Sequence, residues 1–280
     1  MAKKSKGSSK IELHWTEELE ELEGVNVHQN HQLHMHTPLR VGGPVDAWVR
    51  CHTIDGLRKA MPIIRKQPWK VHWPFEDWLV KDGGLNGVVL RLEGDFEQIR
   101  RVEHGIELGA AALWSNLKGL NDIPTELQHW SGSVGAALMA DNADKLFAGF
   151  EIEVEWLRGR HKHRRFFDHQ TPLEIPDNTL PLFVRLFNIR RPRKLVPAKN
   201  GHVFHLDKKQ SPATTLAELN LQAVRLRTWK VCERNPNIIV HLGKGEIDDL
   251  KLLQKALNQR LQPARNTKLA FKIPIIGRKS

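Results

Sequence analysis

The sequence predicts an α+β fold on three observations. Several segments place apolar residues at helical spacing, as in residues 11–23 and 246–261. From residue 37 onward, short apolar runs broken by Gly and Pro are typical of strands and turns. No internal repeat is present, which argues against a solenoid or an array of repeated units.

Composition sets the broad class of protein. The chain has 280 residues, long enough for one large domain or for two or three smaller ones. Hydrophobic residues make up 40% and charged residues 27%, as in ordinary soluble proteins. The formal net charge of +11 favours contact with nucleic acid, anionic lipid or an acidic partner. The absence of tyrosine excludes any chemistry that needs a phenol.

The cysteines and the first residues predict a cytoplasmic protein. Cys51 and Cys232 have no close-spaced companions, which argues against a disulfide framework and against a thiolate zinc site. A charged segment follows the basic residues 1–10, so a signal peptide is not expected. No run approaches the ~18 apolar residues of a membrane span.

The elements of the first half follow in order. A disordered basic tail is expected before a helix with an acidic polar face at 11–23. IDGLRKAMPIIRK (54–66) predicts a second helix, and GVVLRL (87–92) predicts a strand. Apolar and polar residues alternate in IELGAAALWSNL (106–117), which predicts a further strand.

The second half predicts a hairpin, a linker and two more helices. FEIEVEWLRGRHKHRRFF (150–167) alternates on both sides of a basic tip, and LPLFVRLFNI (180–189) is a strand. RRPRKLVPAKNG (190–201), rich in Pro, Gly and positive charge, is the linker candidate. Helices are expected around 211–221 and over 246–261, where Asp248 and Asp249 lie in the first turn.

Seven short motifs together resemble one protein family. In order they are HTPLRVGGPVDAWV, LVKDGGLNGVVL, GAAALWSNL, GSVGAAL, GHVF, NPNIIVHLGKGEIDDL and IPIIG. Their order and approximate spacing resemble those of the bacterial UDP-N-acetylenolpyruvoylglucosamine reductases, the MurB flavoenzymes of peptidoglycan (cell-wall) synthesis. Each motif alone is weak, but the ordered set, over roughly residues 31–280, identifies a divergent member of that family.

The resemblance implies a fold, a division into domains and an ancestral chemistry. The implied fold is a MurB-like FAD-binding fold of the PCMH type, with two flavin-binding subdomains and a substrate domain. The expected parts are a tail and helix (1–30), subdomain 1 (31–95), subdomain 2 (96–192) and the C-terminal domain (193–280). The ancestral reaction would use NADPH to reduce FAD, and FAD to reduce an enolpyruvyl sugar nucleotide. Ancestry does not guarantee that this chemistry survives.

The segment that should bind the FAD diphosphate differs from the family pattern. Alignment on LVKDGG places Trp73, Pro74, Phe75, Glu76 and Asp77 on the family's GGGSN loop, whose main-chain amides hold phosphate. Pro74 lacks an amide hydrogen, and the two aromatic residues add bulk. Glu76 and Asp77 would repel a diphosphate. Cofactor binding is expected to be lost here, unless the true loop lies elsewhere in the chain, and the aromatic side chains are predicted to fill the flavin cavity.

A second cofactor-binding segment is partly retained. Gly132, Ser133 and Gly135 of GSVGAAL could still hold a phosphate or a flavin edge. They could equally serve only to let a helix pack closely. Both interpretations stay open.

The catalytic positions implied by the resemblance have also changed. His202 stands where the family has its serine acid, and an imidazolium could still donate a proton, although a loop histidine without a catalytic role is the simpler interpretation. Lys272 replaces the glutamate before the terminal IIG, and it reverses the charge. His169 and Gln170 fall at the family's tyrosine–arginine pair. We regard all four as vestigial positions.

Two other features have alternative interpretations. HQNHQLHMH holds His28, His31, His34 and His36, but the spacing fits no compact metal motif, so no metal is expected. The basic stretches 158–165 and 190–194 could bind nucleic acid or another polyanion, or could be a solvated hairpin tip and a linker.

Three functional hypotheses follow. The first is a pseudoenzyme that has lost FAD and reductase activity and binds an unknown protein or anionic ligand, with residual nucleotide-sugar binding left open. The second is an active flavin reductase with a rebuilt site that uses His202 as its acid. The third is a nucleic-acid or polyanion binder that uses the basic stretches.

Overall fold

The computed structural model is α+β, as the sequence predicts. The structure describes the following residues: 14–37, 39–74, 76, 78–118, 120, 127, 130–147, 150–168, 171, 173–187, 203–206, 211–232, 236, 238–241, 245–273 and 275–278.

The first sheet is mixed and lies against two helices. Its strands, in the order β1-β2-β5-β3, are β1 (Val25–Gln32), β2 (Pro44–Cys51), β5 (Leu85–Leu92) and β3 (Trp69–Val71). The pair β1–β2 is antiparallel, whereas β5 runs parallel to both β2 and β3. Helices α1 (His14–Glu20) and α2 (Ile54–Ile64) contribute Leu19 and Leu57 to the core under one face. The Thr53 side chain caps α2 by accepting a hydrogen bond from the Gly56 amide.

The second sheet has five antiparallel strands. In the order β6-β7-β10-β8-β9 they are β6 (Ile99–Val102), β7 (Gly105–Gly109), β10 (Leu180–Phe187), β8 (Glu151–Arg158) and β9 (His161–Phe167). The predicted hairpin is thus β8–β9, with its turn at Gly159. Short helices α3 (Val134–Leu138) and α4 (Ala143–Leu146) lie beside this sheet. The strand predicted at 106–117 ends at Gly109, and the chain continues to a 3₁₀ turn at Trp114–Leu117.

The C-terminal part combines two small sheets with a long helix. The sheets are β11 (Phe204–Leu206) with β15 (Leu269–Phe271), and β12 (Arg225–Leu226), β13 (Trp229–Val231) and β14 (Ile239–His241). Helix α5 (Pro212–Glu218) and helix α6 (Ile247–Arg265) complete it. The apolar face predicted for α6 is confirmed, because its members are all buried: Ile247, Leu250, Leu253, Leu257 and Leu261.

Three glycines join the C-terminal residues to the first sheet, and we call them the glycine crossing: Gly43, Gly84 and Gly277. Strand β16 (Ile275–Ile276) pairs in parallel with β4 (Leu79–Val80). The Gly84 backbone has φ +74°, and a Cβ there would lie 1.7 Å from the Pro44 carbonyl oxygen. The motifs LRVGGPV and DGGLNG therefore have a steric reason for their glycines, since two backbones touch at this point.

Within the described ranges, none of the helices combines the length and the apolar composition that crossing a membrane requires. The predicted domain boundaries stay predictions, and the one at residue 30 falls inside β1.

Candidate functional site

Trp73 fills space between the two sheets. It lies two residues after the end of β3, and it is only 6% exposed. The ring lies in a core cluster that includes Leu57 of α2 and the residues Ala110 and Leu182 of the second sheet and its connection. Pro74 is also buried, whereas Phe75 and Asp77 lie outside the described residues. An indole thus lies between the first and the second sheet at this position.

The turn after Trp73 supplies a hydrogen-bond acceptor for the Trp73 amide. The Trp73 N–H donates to the Glu76 Oε2 at 3.0 Å, and the Glu76 N–H donates back to the Trp73 carbonyl oxygen at 3.1 Å. The Trp73 amide is therefore already bonded to a carboxylate of the chain. Pro74 has no amide hydrogen to offer.

Several main-chain amides of GSVGAAL also donate hydrogen bonds within the protein. The Val134 amide donates to the Ala112 carbonyl, and the Gly135 amide donates to the Ala110 carbonyl at 2.6 Å. The Ser133 hydroxyl accepts from the Ala136 amide and so caps α3. This pattern favours the packing interpretation for Ser133 and Gly135. Gly132, with φ +81° and no atom within 4 Å of a Cβ position, has open space beside it.

The two candidate cofactor segments meet at one contact. A Cβ on Gly135 would lie 2.3 Å from Cζ3 of Trp73 and 2.5 Å from its Cη2. The indole therefore packs flush against the helix backbone at the position where the sequence leaves room for a flavin edge. The sequence pattern identified both segments. Only the folded chain shows that the Trp73 indole occupies the space beside Gly135.

Taken together, these groups do not fit a dinucleotide diphosphate. The amides of Trp73, Val134 and Gly135 donate to acceptors of the protein, a proline interrupts the first segment, and the carboxylate of Glu76 accepts from the Trp73 amide. Two negative charges about 4 Å apart repel by on the order of 4 kcal/mol at an effective dielectric of 20. No reaction step through FAD is derived for this chain.

Of the predicted catalytic positions, the structure describes only Lys272. Lys272 is exposed just after β15, and its amide donates to the Val203 carbonyl as a continuation of the β11–β15 pairing. His202, His169 and Gln170 lie outside the described residues. Their roles stay predictions.

The histidines of HQNHQLHMH contribute to a ring cluster on the other face of the first sheet. The His36 and Trp48 rings stack with centroids 4.2 Å apart, and His72 meets Trp78 edge-on at 4.7 Å. The His31 Nε2 lies 2.7 Å from the His36 Nε2, so the two rings share one hydrogen. Among the described residues, no three His, Cys, Asp or Glu side chains are arranged to hold a metal ion.

Burial keeps this ring cluster neutral. It lowers the pKa of His72 to about 3, and the nearby Arg91 guanidinium acts in the same direction. Arg91 donates to the His72 Nδ1 at 3.3 Å, which assigns the ring proton to Nε2. Burial, together with the charge of His36, also lowers the pKa of His31 to about 4.

The basic hairpin is partly neutralised by its own sheet. Lys162 and Arg164 both bond Glu155 on β8, at 3.2 and 2.9 Å. Burial raises the pKa of Glu155, but the hydrogen bonds from the two cations outweigh it and hold that pKa below its usual value. The sequence-based patch 158–165 therefore overstates the free positive charge, and 190–194 lies outside the described residues.

A basic groove beside this hairpin was missed from the sequence. Its volume is about 530 Å³, and α2 and the hairpin turn line it with Asp55, Arg58, Lys59, Pro62, Ile63, Lys66 and Arg160. The three- and four-residue spacing of the α2 members, opposite the buried face, is the signal that could have found half of it.

Comparison with known proteins gives a consistent family relationship, although no protein-family model matches the chain. The chain is 25% identical to UDP-N-acetylenolpyruvoylglucosamine reductase of Anoxybacillus flavithermus, covering 94% of this chain and 98% of the relative. It is 26% identical to the protein of the same name from Bacillus licheniformis, with the same coverage of 94% and 98%.

A solved structure gives the same answer for the fold. The chain resembles UDP-N-acetylenolpyruvylglucosamine reductase (MurB) from Thermus caldophilus with a TM-score of 0.59 and 21% identity, covering 89% of this chain and 98% of that one. The predicted resemblance and the predicted fold are confirmed. The chain is thus a relative of the UDP-N-acetylenolpyruvoylglucosamine reductases over almost its whole length, and it shares their fold.

Proposed function

We propose that this chain is a MurB-like pseudoenzyme: a reductase scaffold that no longer holds FAD and acts by binding a partner or ligand. The observation that carries the proposal is the contact of the Trp73 indole with Gly135. A side chain of the protein takes the place of the cofactor between the subdomains. Burying a side chain of that size stabilises the fold by roughly 2–3 kcal/mol without any ligand.

The polar groups support the same proposal. Micromolar affinity corresponds to only about 8 kcal/mol, so one carboxylate–phosphate repulsion of roughly 4 kcal/mol removes about half of it. Glu76 supplies such a carboxylate on the Trp73 amide. The engaged amides around Gly135 remove compensating donors.

The family relationship suggests a nucleotide sugar as the class of ligand. The relatives are named as reductases of UDP-N-acetylenolpyruvoylglucosamine, and we propose that the C-terminal domain (193–280) could retain affinity for such a compound without reducing it. We further propose a link to peptidoglycan synthesis and a cytoplasmic location, on the resemblance and on the isolated cysteines.

The test is the absorbance spectrum of the purified protein, followed by denaturation and flavin assay of the supernatant. We expect no flavin band and no flavin release. With FAD and NADPH added, we expect no turnover of UDP-N-acetylenolpyruvoylglucosamine, whereas the Anoxybacillus flavithermus relative is assayed in parallel as the active control. A yellow protein that releases stoichiometric flavin would contradict the proposal.

A further inference from the structure

The groove beside α2 brings together cations from the helix and from the hairpin turn. Lys59, Lys66 and Arg160 are exposed, and within the described part of the chain no acidic group lies within ion-pair distance of them. On the hairpin strands, by contrast, Glu155 engages both Lys162 and Arg164. Three cations without a described acidic partner within ion-pair distance thus lie around the groove, whereas Lys162 and Arg164 of β9 are paired.

One of the groove cations is held in position before any ligand arrives. The Arg58 Nε donates to the Arg160 carbonyl oxygen at 3.3 Å, and its Nη1 lies 3.6 Å from the Asp55 carboxylate. These contacts tie α2 to the hairpin turn and fix the guanidinium at the rim of the groove. Asp55 is the single acidic residue of the lining. An oriented guanidinium suits the forked geometry of phosphate oxygens.

We propose that this groove binds the phosphate backbone of nucleic acid without sequence preference. An acidic protein partner would need an apolar interface core, and the groove offers only the half-buried Pro62 and Ile63. Phosphate-backbone binding needs little apolar area and gains from counterion release. The chain's net charge of +11 adds a long-range attraction for the same ligand.

The proposal does not depend on the loss of flavin. The groove lies on the exposed face of α2, whereas the buried face of the same helix shares a core with Trp73. Flavin binding and nucleic-acid binding can therefore fail separately.

The experiment measures fluorescence anisotropy of a labelled single-stranded oligonucleotide of mixed sequence across a series of salt concentrations, with a duplex of the same sequence as a second arm. The groove variant is Lys59→Gln with Lys66→Gln. The control variant, Lys162→Gln with Lys251→Gln, removes the same charge from two lysines that are ion-paired, with Glu155 and Asp248.

We expect the wild-type chain to bind the single strand with strong salt dependence. In the groove variant, each lost phosphate contact should weaken binding by about fivefold near 0.1 M salt and reduce the salt slope by about 0.7. The control should stay within about twofold of wild type, since its lysines already have partners.

Three outcomes would overturn the proposal. They are no binding to either the single strand or the duplex at low salt, equal weakening in the groove and control variants, and binding of polyglutamate in the groove as tightly as of the oligonucleotide. Tighter binding of the duplex would keep the groove and assign double-stranded nucleic acid as its ligand.

Discussion

The glycine crossing and the turn at Trp73 both lie where the family resemblance places glycine-rich sequence, yet they differ in what their glycines must do. At the crossing, Gly84 has a left-handed backbone, and its Cα lies so close to the Pro44 carbonyl that no Cβ fits. At the turn, Trp73 and Pro74 stand where the resemblance leads one to expect glycine, and Glu76 stands at the serine of the family's GGGSN loop.

The difference separates two kinds of constraint. At the crossing, the chain touches itself, so the fold cannot form without glycine. In a phosphate loop, glycine serves a ligand, and once the ligand is gone any residue that packs well can replace it. Under the proposed function, the buried indole of Trp73 is such a residue, and it packs closely against Gly135.

The largest expected effect is at the crossing. Gly84→Ala would place a Cβ 1.7 Å from the Pro44 carbonyl oxygen at φ +74°, and we expect it to cost more than about 4 kcal/mol of unfolding free energy. Urea unfolding measures this loss of stability, and we expect the variant to be poorly folded at about 37 °C.

Gly159→Ala is the matched control for that substitution. Gly159 has φ +65°, but nothing lies within 4 Å of its Cβ position, so only the backbone strain of about 1 kcal/mol applies. If Gly84→Ala and Gly159→Ala lose equal unfolding free energy, the close backbone contact at the glycine crossing contributes no additional cost. The contrast between the crossing and the turn at Trp73 would then be wrong.

A smaller effect is expected at the Trp73–Gly135 contact. Trp73→Ala should cost about 3–5 kcal/mol, because it leaves a cavity between the sheets. Gly135→Ala alone should cost about 1–3 kcal/mol, because its Cβ meets the indole at 2.3 Å. In the Trp73→Ala background, the same change should become neutral or stabilise by up to about 1 kcal/mol, since alanine favours the helix.

A double-mutant cycle with urea unfolding measures the coupling. Additivity of the two changes within about 0.5 kcal/mol would mean that the indole does not rest on α3, and the filled-site interpretation would lose its main support. The visible absorbance spectrum of the Trp73→Ala variant adds a second readout. We expect no flavin band, because the Glu76 carboxylate remains in the variant.

The sequence predicted much of the fold because local patterns carry that information. The leucines of α6 recur at helical spacing and are buried, and the alternation over 150–167 gave the β8–β9 hairpin. At the candidate site, the loss of a donor at Pro74 followed from residue type alone. These features depend on neighbours along the chain.

The remaining features depend on residues distant in sequence. The Trp73–Gly135 contact, the bond from Lys162 to Glu155 and the groove between α2 and Arg160 each join separate elements. Composition and spacing cannot show which charges neutralise one another, so the sequence pattern revealed neither the pairing of Lys162 and Arg164 with Glu155 nor the cations gathered at the groove.

The smallest expected effect is a loss of stability at acidic pH. It distinguishes the turn at Trp73 from the glycine crossing. His72 directly precedes Trp73, is 3% exposed and faces Arg91 and His36, with Trp48 and Trp78 around it. Its folded-state pKa of about 3 lies below the unfolded value of 6.5, so the unfolded chain binds the proton more readily. Stability is therefore complete above 6.5 and falls as the pH drops toward 3. At about pH 5 the loss from His72 alone is about 2 kcal/mol, at about 1.36 kcal/mol per pH unit.

His72→Phe keeps the ring packing and removes the titration. We expect urea unfolding of this variant to lose less stability between neutral pH and about pH 5 than the wild type does, by up to about 2 kcal/mol. His104→Gln is the control variant, because it removes an exposed imidazole and leaves the ring packing around His72 intact. An unaltered pH dependence in His72→Phe would show that the proton enters elsewhere. The loss of stability at acidic pH would then not come from the segment before Trp73. The turn at Trp73 and the glycine crossing would not differ in their response to pH.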